Sequence, residues 1–308
     1  MKSIIIGTRG SQLALAQAEY IRQKLLEKNP KTDISLKIIK TMGDKFLQSP
    51  LSRIGGKGVF VKEIEEALQR GDIDLAVHSL KDVPTELPSG LELSVICKRE
   101  DPSDAFVSSK YKTIQALPKG STVGTSSLRR KVQLLHLNPD LKVVDLRGNV
   151  DTRLKKLDRG EYDAIVMSAA ALKRLGLEKQ ISQVLNFIPA VGQGALVLET
   201  RKKDKDLKDK ISFLNDKKTA QATFLERLFL KEMQGGCQVP LGAYATCNEM
   251  SFLMSAFIGS LDGKLFLEHN VKGLLVDSQK NVLSLSQELL NRGGKKILET
   301  IERAGKNT

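Results

Sequence analysis

The sequence predicts two α/β domains facing each other across a cleft, followed by a small α+β module with an antiparallel sheet. Three observations carry that expectation. The first two-thirds of the chain alternates short apolar runs with amphipathic helical stretches, the pattern of parallel sheets covered by helices. The alternation comes in two series of similar size, the second opening after Glu100-Asp101-Pro102. The tail instead carries closely spaced β-like runs, two of them joined through Asp262-Gly263, a hairpin signal.

In order, Ile4 to Ile6 reads as the first strand. Ser11 then caps a helix whose Ala14, Ala18, Ile21 and Leu25 recur at three- and four-residue spacing, and Asn29-Pro30 ends it. Ile34 to Ile39 is a strand, Val61 to Leu68 a helix closing at Gly71, and Ile73 to Val77 a buried strand. The second series places strands at Thr122 to Gly124, Lys142 to Asp145 and Ala164 to Met167, with helices starting near Ser127, Val150 and Ser168. Ala195 to Glu199 reads as a strand returning to the first domain. Val239 to Thr246, Phe252 to Ile258 and Lys264 to His269 form the tail's sheet, and one helix from Ser284 to about Arg303 closes the chain. No internal repeat is visible.

Composition narrows the function. The 308 residues are 28% charged and 41% hydrophobic, as in an ordinary globular protein. No apolar run approaches the ~20 residues that span a bilayer, and Met1 to Gly7 reads as a strand rather than a signal peptide, so a cytoplasmic chain without a membrane partner is expected. A formal charge of +13 points to an anionic partner. Nucleic acid is disfavoured, because there is no Trp and aromatics make up only 5%. Phosphate-loop and dinucleotide glycine fingerprints are absent. The three cysteines give neither a disulfide framework nor a metal motif, and no metal is expected. Cys97 reads as a buried inert thiol and Cys247 as the end of a β-like run. Cys237 differs, lying in Gly235-Gly236-Cys237-Gln238-Val239-Pro240 on irregular backbone.

Ligands of open α/β sheets bind beyond the carboxyl ends of the strands. Those positions hold Thr8-Arg9-Gly10-Ser11, Ser79-Leu80-Lys81-Asp82, Thr125-Ser126-Ser127-Leu128-Arg129-Arg130, Arg147-Gly148-Asn149 with Arg153, and Ser168 with Lys173 and Arg174. Three of the five begin helices, whose amino termini add N–H donors and a positive dipole end. Arginine adds a planar fork suited to carboxylates. Together they describe a site for several anionic groups. Asp82 is the exception in that basic lining, either a helix cap or ion-pair partner of Lys81, or a carboxylate serving a reaction that passes through a cation or moves protons on nitrogen. His78 reads equally as a hydrogen-bonded structural residue or a catalyst.

These runs, with Ala76 to Pro84, Leu146 to Val150 and Gly192-Gln193-Gly194-Ala195, resemble the porphobilinogen deaminase (hydroxymethylbilane synthase) family, in order from Thr8 through Pro240. The resemblance implies two periplasmic-binding-protein-like (type II) domains, residues 1–98 with 196–216 and 99–195, and a third at 217–308 carrying the cysteine. It implies a transferase that adds four porphobilinogen units, with loss of ammonia, to a dipyrromethane cofactor held by a thioether to Cys237. Water then releases hydroxymethylbilane for tetrapyrrole and haem biosynthesis.

On that resemblance Asp82 is the catalytic residue. Ser79, Lys81, Asp82, Thr125, Ser127, Arg129, Arg130, Arg147, Gly148, Asn149, Gln193 and Gly236 hold the cofactor. Arg9, Ser11, Lys57, Arg147, Arg153 and Arg174 bind the substrate. Every pyrrole carries an acetate and a propionate, so a basic site and one carboxylate suit the chemistry. A monomer is expected. The competing reading is a non-catalytic anion-binding module, against which a thiol on a Gly-Gly loop argues.

Overall fold

Thirteen strands in three sheets order the chain in a computed structural model that describes residues 3–45, 58–234 and 239–306. Two compact units form, with boundaries at Glu100/Asp101, Gly194/Ala195 and Ala220/Gln221.

The first unit holds a five-stranded sheet of β1 (Ser3–Thr8), β2 (Asp33–Ile38), β3 (Leu75–Ser79), β4 (Leu91–Ile96) and β10 (Leu196–Arg201), in the order β2-β1-β3-β10-β4. The strands β2, β1 and β3 are parallel, and β10 runs antiparallel to both neighbours. Helix α1 (Gln12–Lys28) buries Ala18, Ile21 and Leu25 against Ile4, Ile6, Leu75 and Val77. Helix α3 (Lys62–Arg70), which follows the short α2 (Met42–Lys45), packs Ile64, Ala67 and Leu68 around Ala76 and Leu91. With helices on both faces, β3 is buried at Leu75, Ala76, Val77 and His78, which explains its unbroken run of buried residues.

The second unit repeats that plan. Its sheet contains β5 (Asp104–Val107), β6 (Thr122–Gly124), β7 (Lys142–Val144), β8 (Ala164–Ser168) and β9 (Gln183–Leu185), in the order β7-β6-β8-β5-β9. Again three strands are parallel and the fourth is antiparallel to its neighbours. Helices α4 (Leu128–Leu137), α5 (Val150–Asp158) and α6 (Ala169–Arg174) follow β6, β7 and β8.

In the same unit β11 (Leu241–Cys247), β12 (Ser251–Gly259) and β13 (Phe266–Leu274) form an antiparallel sheet. Its core joins Met254, Ala256 and Ile258 to Leu225 and Phe229 of α8 (Lys217–Glu232) and Val282, Leu285 and Leu289 of α9 (Ser278–Leu289). Phe266 stacks on His136 of α4 with ring centroids 4.3 Å apart, tying this sheet to its neighbour.

The fold class expected from the sequence is present: two mixed α/β sheets and a three-stranded antiparallel sheet with helices. Ala195 to Glu199 does return to the first sheet, as β10. Several details differ. The third strand begins at Leu75 rather than Ile73, because Asp72 still bonds back to Ala67 in the turn that leaves α3. It runs on to Ser79 because β10 pairs with it as far as Leu196. The closing helix is two helices. Gly293, at φ +127, breaks it between α9 and α10 (Lys295–Lys306), a conformation that side chains other than glycine rarely adopt. Arg201 ends β10 and donates to the carbonyls of Leu68 and Ile73 at 2.7 Å each. Strand β5 and helices α7 (Lys205–Ile211) and α8 were not anticipated. Cys97 is buried, and Cys247 is the last residue of β11. No helix among the described residues is long and apolar enough to cross a membrane.

Candidate active site

The expected site residues fall into two groups, one in each unit. In the first unit, β1 ends at Thr8 and the backbone turns into α1. Ser11 caps that helix, its hydroxyl accepting from the Ala14 N–H at 3.3 Å. Between them Arg9 turns its guanidinium onto Asp44, with Nε donating at 3.2 and 3.3 Å, and lies 4.2 Å over the Phe60 ring. Burial would raise the Asp44 pKa, but hydrogen bonds and charge from Arg9, aided by Thr41, hold it below the usual range. Arg9 therefore brings a charge already shared with a carboxylate.

The turn after β3 supplies the acid. Ser79 ends the strand and accepts from the Gln17 amide at 3.0 Å. Leu80–Asp82 is a single 3-10 turn, pinned by buried Leu80 and by its N–H bond to the Ala195 carbonyl. The result is a pocket whose walls include Arg9, Ser11, Gln17, Phe60, His78, Ser79 and Asp82. Asp82 is the one carboxylate among its described lining residues. Lys81, on the same turn, is not part of that lining. Gln17 and Phe60 were missed in the sequence, since each reads there as an ordinary helix or loop residue.

In the second unit, Ser127 caps α4, accepting from the Arg130 N–H at 3.4 Å, and Thr125 accepts from the Ser127 N–H at 3.2 Å. The arginines that follow are the largest departure from expectation. Both are buried, at 5% and 6% exposure, and both grip Asp104. Arg129 donates to it at 2.6 and 3.1 Å and Arg130 at 2.9 Å. Gln193 adds a third donor at 3.0 Å. Burial opposes the charge on Asp104, yet the two guanidinia hold its pKa far below the normal carboxylate range. Burial pulls the Arg130 pKa down in turn. Asp104 carried no signal in the sequence, because its role depends on residues 25, 26 and 89 positions away.

The remaining residues sit on nearby turns. Arg147 approaches Asp145 at 3.9 Å. Gly148, at φ +113, occupies a site where a Cβ would come 2.7 Å from the Thr152 side chain, so only glycine fits. Asn149 is the N-cap residue of α5, and Arg153 donates back to the Gly148 carbonyl at 2.7 Å. Arg174 donates to the Gly194 carbonyl at 2.6 Å and Lys173 to Asp101 at 3.0 Å. Glu226, also unforeseen, accepts from Gly192 at 2.7 Å and Ala245 at 2.9 Å, linking the Gln193 turn to the sheet that follows the cysteine. Lys57, Gly236 and Cys237 lie outside the described residues.

Comparison with known proteins gives this arrangement a family. Residues 4–209 match "Porphobilinogen deaminase, dipyromethane cofactor binding domain", and residues 220–291 match "Porphobilinogen deaminase, C-terminal domain". The chain belongs to the porphobilinogen deaminase family. It is 49% identical to the porphobilinogen deaminase of Nitratidesulfovibrio vulgaris, over 99% of this chain and 98% of that one. It is 47% identical to that of Pelobacter propionicus, over 97% of each. Among solved structures, the methionine binding protein MetQ is 18% identical with a TM-score of 0.46, covering 72% of this chain and 91% of that one, a likeness too slight to carry an argument.

The residues of this family member suit an anionic group such as dipyrromethane. Asp104 balances only one of the two buried guanidinium charges beside it. Arg129 Nε is a buried donor with no hydrogen-bond partner among the described residues. An arginine pair with a surplus positive charge and an unused N–H matches a carboxylate.

Proposed function

We infer that the chain is a porphobilinogen deaminase, or hydroxymethylbilane synthase, which joins porphobilinogen units with release of ammonia. Beyond its family, the observation that carries this reading is Asp82, the one carboxylate among the described residues of a pocket that also presents Arg9, Ser11, Gln17 and Ser79. When bound, dipyrromethane supplies the pyrrole carbon on which the product chain grows.

The chain's own residues do the rest. Arg129, Arg130 and Arg147, with Ser79, Lys81, Thr125, Ser127, Gly148, Asn149, Gln193 and Gly236, hold the acetates and propionates of the cofactor. Arg9, Ser11, Lys57, Arg153 and Arg174 hold those of the incoming porphobilinogen. Its C–N bond breaks with the electron pair leaving on nitrogen, which puts positive charge on the substrate pyrrole. Asp82 accepts a hydrogen bond from that pyrrole N–H and stabilises the charge. Asp82 also takes up the proton released when each unit is joined and passes it to the ammonia already set free, which leaves as ammonium. Four additions followed by hydrolysis give hydroxymethylbilane. Cys237 is the thioether anchor, for which a soft, strongly nucleophilic thiolate is suited. The working form is a cytoplasmic monomer without a nucleic-acid partner; light scattering of the purified protein checks the monomer.

Intact-mass analysis of the denatured protein tests the anchor. One adduct of dipyrromethane size is expected, and it should vanish in Cys237→Ser; an unmodified, fully active chain overturns the assignment. Asp82→Asn should keep the adduct and lower kcat by about 100-fold or more, the scale of general acid–base catalysis.

A further inference from the structure

The pocket that holds Asp82 has a second ionisable wall, and behind it lies a group of acids that the reaction scheme does not use. Glu65 on α3, His78 on β3 and Glu199 on β10 are 6%, 5% and 0% exposed. In the β3–β10 register His78 faces Val197, which places Glu199 diagonally beside it on the same sheet face. His78 Nε2 and Glu199 Oε2 are 3.0 Å apart. The other oxygen of Glu199 and Oε1 of Glu65 are buried without hydrogen-bond partners among the described residues.

We propose that Glu199 is a positioning residue for His78, fixing its imidazole beside the pocket of Asp82, with Glu65 as the second buried acid of the cluster. The proposal rests on the functional reading above.

The charges require such an arrangement. Two carboxylates against one imidazole leave at least one buried negative charge uncompensated, the costly arrangement in a low-dielectric interior. A proton on Glu65 removes that charge. Burial, then the charge of Glu199, push Glu65 up to about 7, and His78 opposes them. Elsewhere on the packed elements, Glu66 of α3 adds to the upward push. Strand β1 has no ionisable side chain, Glu92 of β4 is engaged by Lys208, and Arg201 of β10 is engaged by Asp74 and Asp204.

The consequence reaches the pocket through the imidazole. An ionised Glu199 accepts from Nε2–H, which assigns Nδ1 the acceptor role in the neutral ring. His78 lines the pocket together with Asp82 and precedes Ser79 in the same strand. Each addition releases a proton from a pyrrole carbon, so a second oriented proton acceptor has a use there. A group that only filled space would not need a carboxylate at 3.0 Å from the ring nitrogen.

The test combines kinetics with nuclear magnetic resonance of the His78 ring in the cofactor-loaded enzyme. Glu199→Gln should lower kcat about 10- to 100-fold, part of the ~10²–10⁴ that a positioned acid or base contributes, while KM for porphobilinogen changes little. It should also move the ring titration of His78. Glu65→Gln should erase an inflection near pH 7 from that titration and from the kcat profile. If both variants fold and reproduce the wild-type pH profile and ring titration, the cluster is only structural and the proposal falls. Should Glu199→Gln not fold, wild type and Glu65→Gln decide alone. The ring titration needs no turnover, so it separates failure of this inference from failure of the deaminase reading.

Discussion

Two sheets with one strand order bury their acids among different partners. In each, an antiparallel strand lies beside the third parallel strand, β10 against β3 and β5 against β8. Its first residue faces the last residue of the parallel strand: Leu196 opposite Ser79 in one unit, Asp104 opposite Ser168 in the other. The first unit keeps that position apolar and carries its buried carboxylate three residues further along the strand, as Glu199 opposite Ala76, among a second acid and a histidine. The second unit puts its carboxylate at the strand end and surrounds it with two arginines and a glutamine. Strand order fixes where backbones lie, whereas individual side chains decide what surrounds the acid that each unit buries.

The largest effect is expected where that difference is greatest. Asp104→Ala strands two buried guanidinia, and removing one partner of a buried pair costs about 3–5 kcal/mol. Urea unfolding should show the loss, together with loss of the covalent adduct; wild-type stability would mean that Asp104 does not organise the arginines. Arg129→Leu or Arg130→Leu should cost less, about 1–3 kcal/mol, because Asp104 keeps its other partner. Intact-mass analysis should nevertheless show a lower adduct fraction.

Glu65→Gln probes the buried acids of the first unit and has the opposite sign. The folded protein holds the Glu65 proton to about pH 7, whereas the unfolded chain releases it near 4.5. The native state therefore loses stability relative to the unfolded chain as pH rises from 4.5 to 7. The glutamine variant should unfold about 2–4 °C above wild type at pH 8, the effect of about 1 kcal/mol, with a much smaller difference at pH 4.5. An equal gain at both values would show that Glu65 does not titrate in this window. Effects of similar, small size are expected from the two equivalent helix caps. Ser11→Ala and Ser127→Ala should each cost about 1 kcal/mol, measured by thermal unfolding. A larger loss at Ser127 alone would indicate that its cap also sets the arginines on α4.

Much of this was legible because it is local. The caps Ser11 and Ser127, the stop at Gly71 and the basic strand ends are set by residues within one turn of one another. The repeated sheet order was not visible as a repeat, since topology constrains pairing and leaves side-chain identity open. Strand β5 escaped notice for a related reason: four residues buried by neighbouring strands carry too little periodicity to stand out.

The sequence by itself determined the family, the fold class and the candidate site residues, because glycines, caps and charged strand ends act through short-range chemistry. Only the tertiary structure decided what those residues touch. It turned Arg129 and Arg130 inward onto Asp104, set Arg9 against Asp44 and Phe60, and buried Glu65 and Glu199 around His78. Such pairings join residues far apart in the chain, and the cost of an uncompensated buried charge exists only once packing has excluded water.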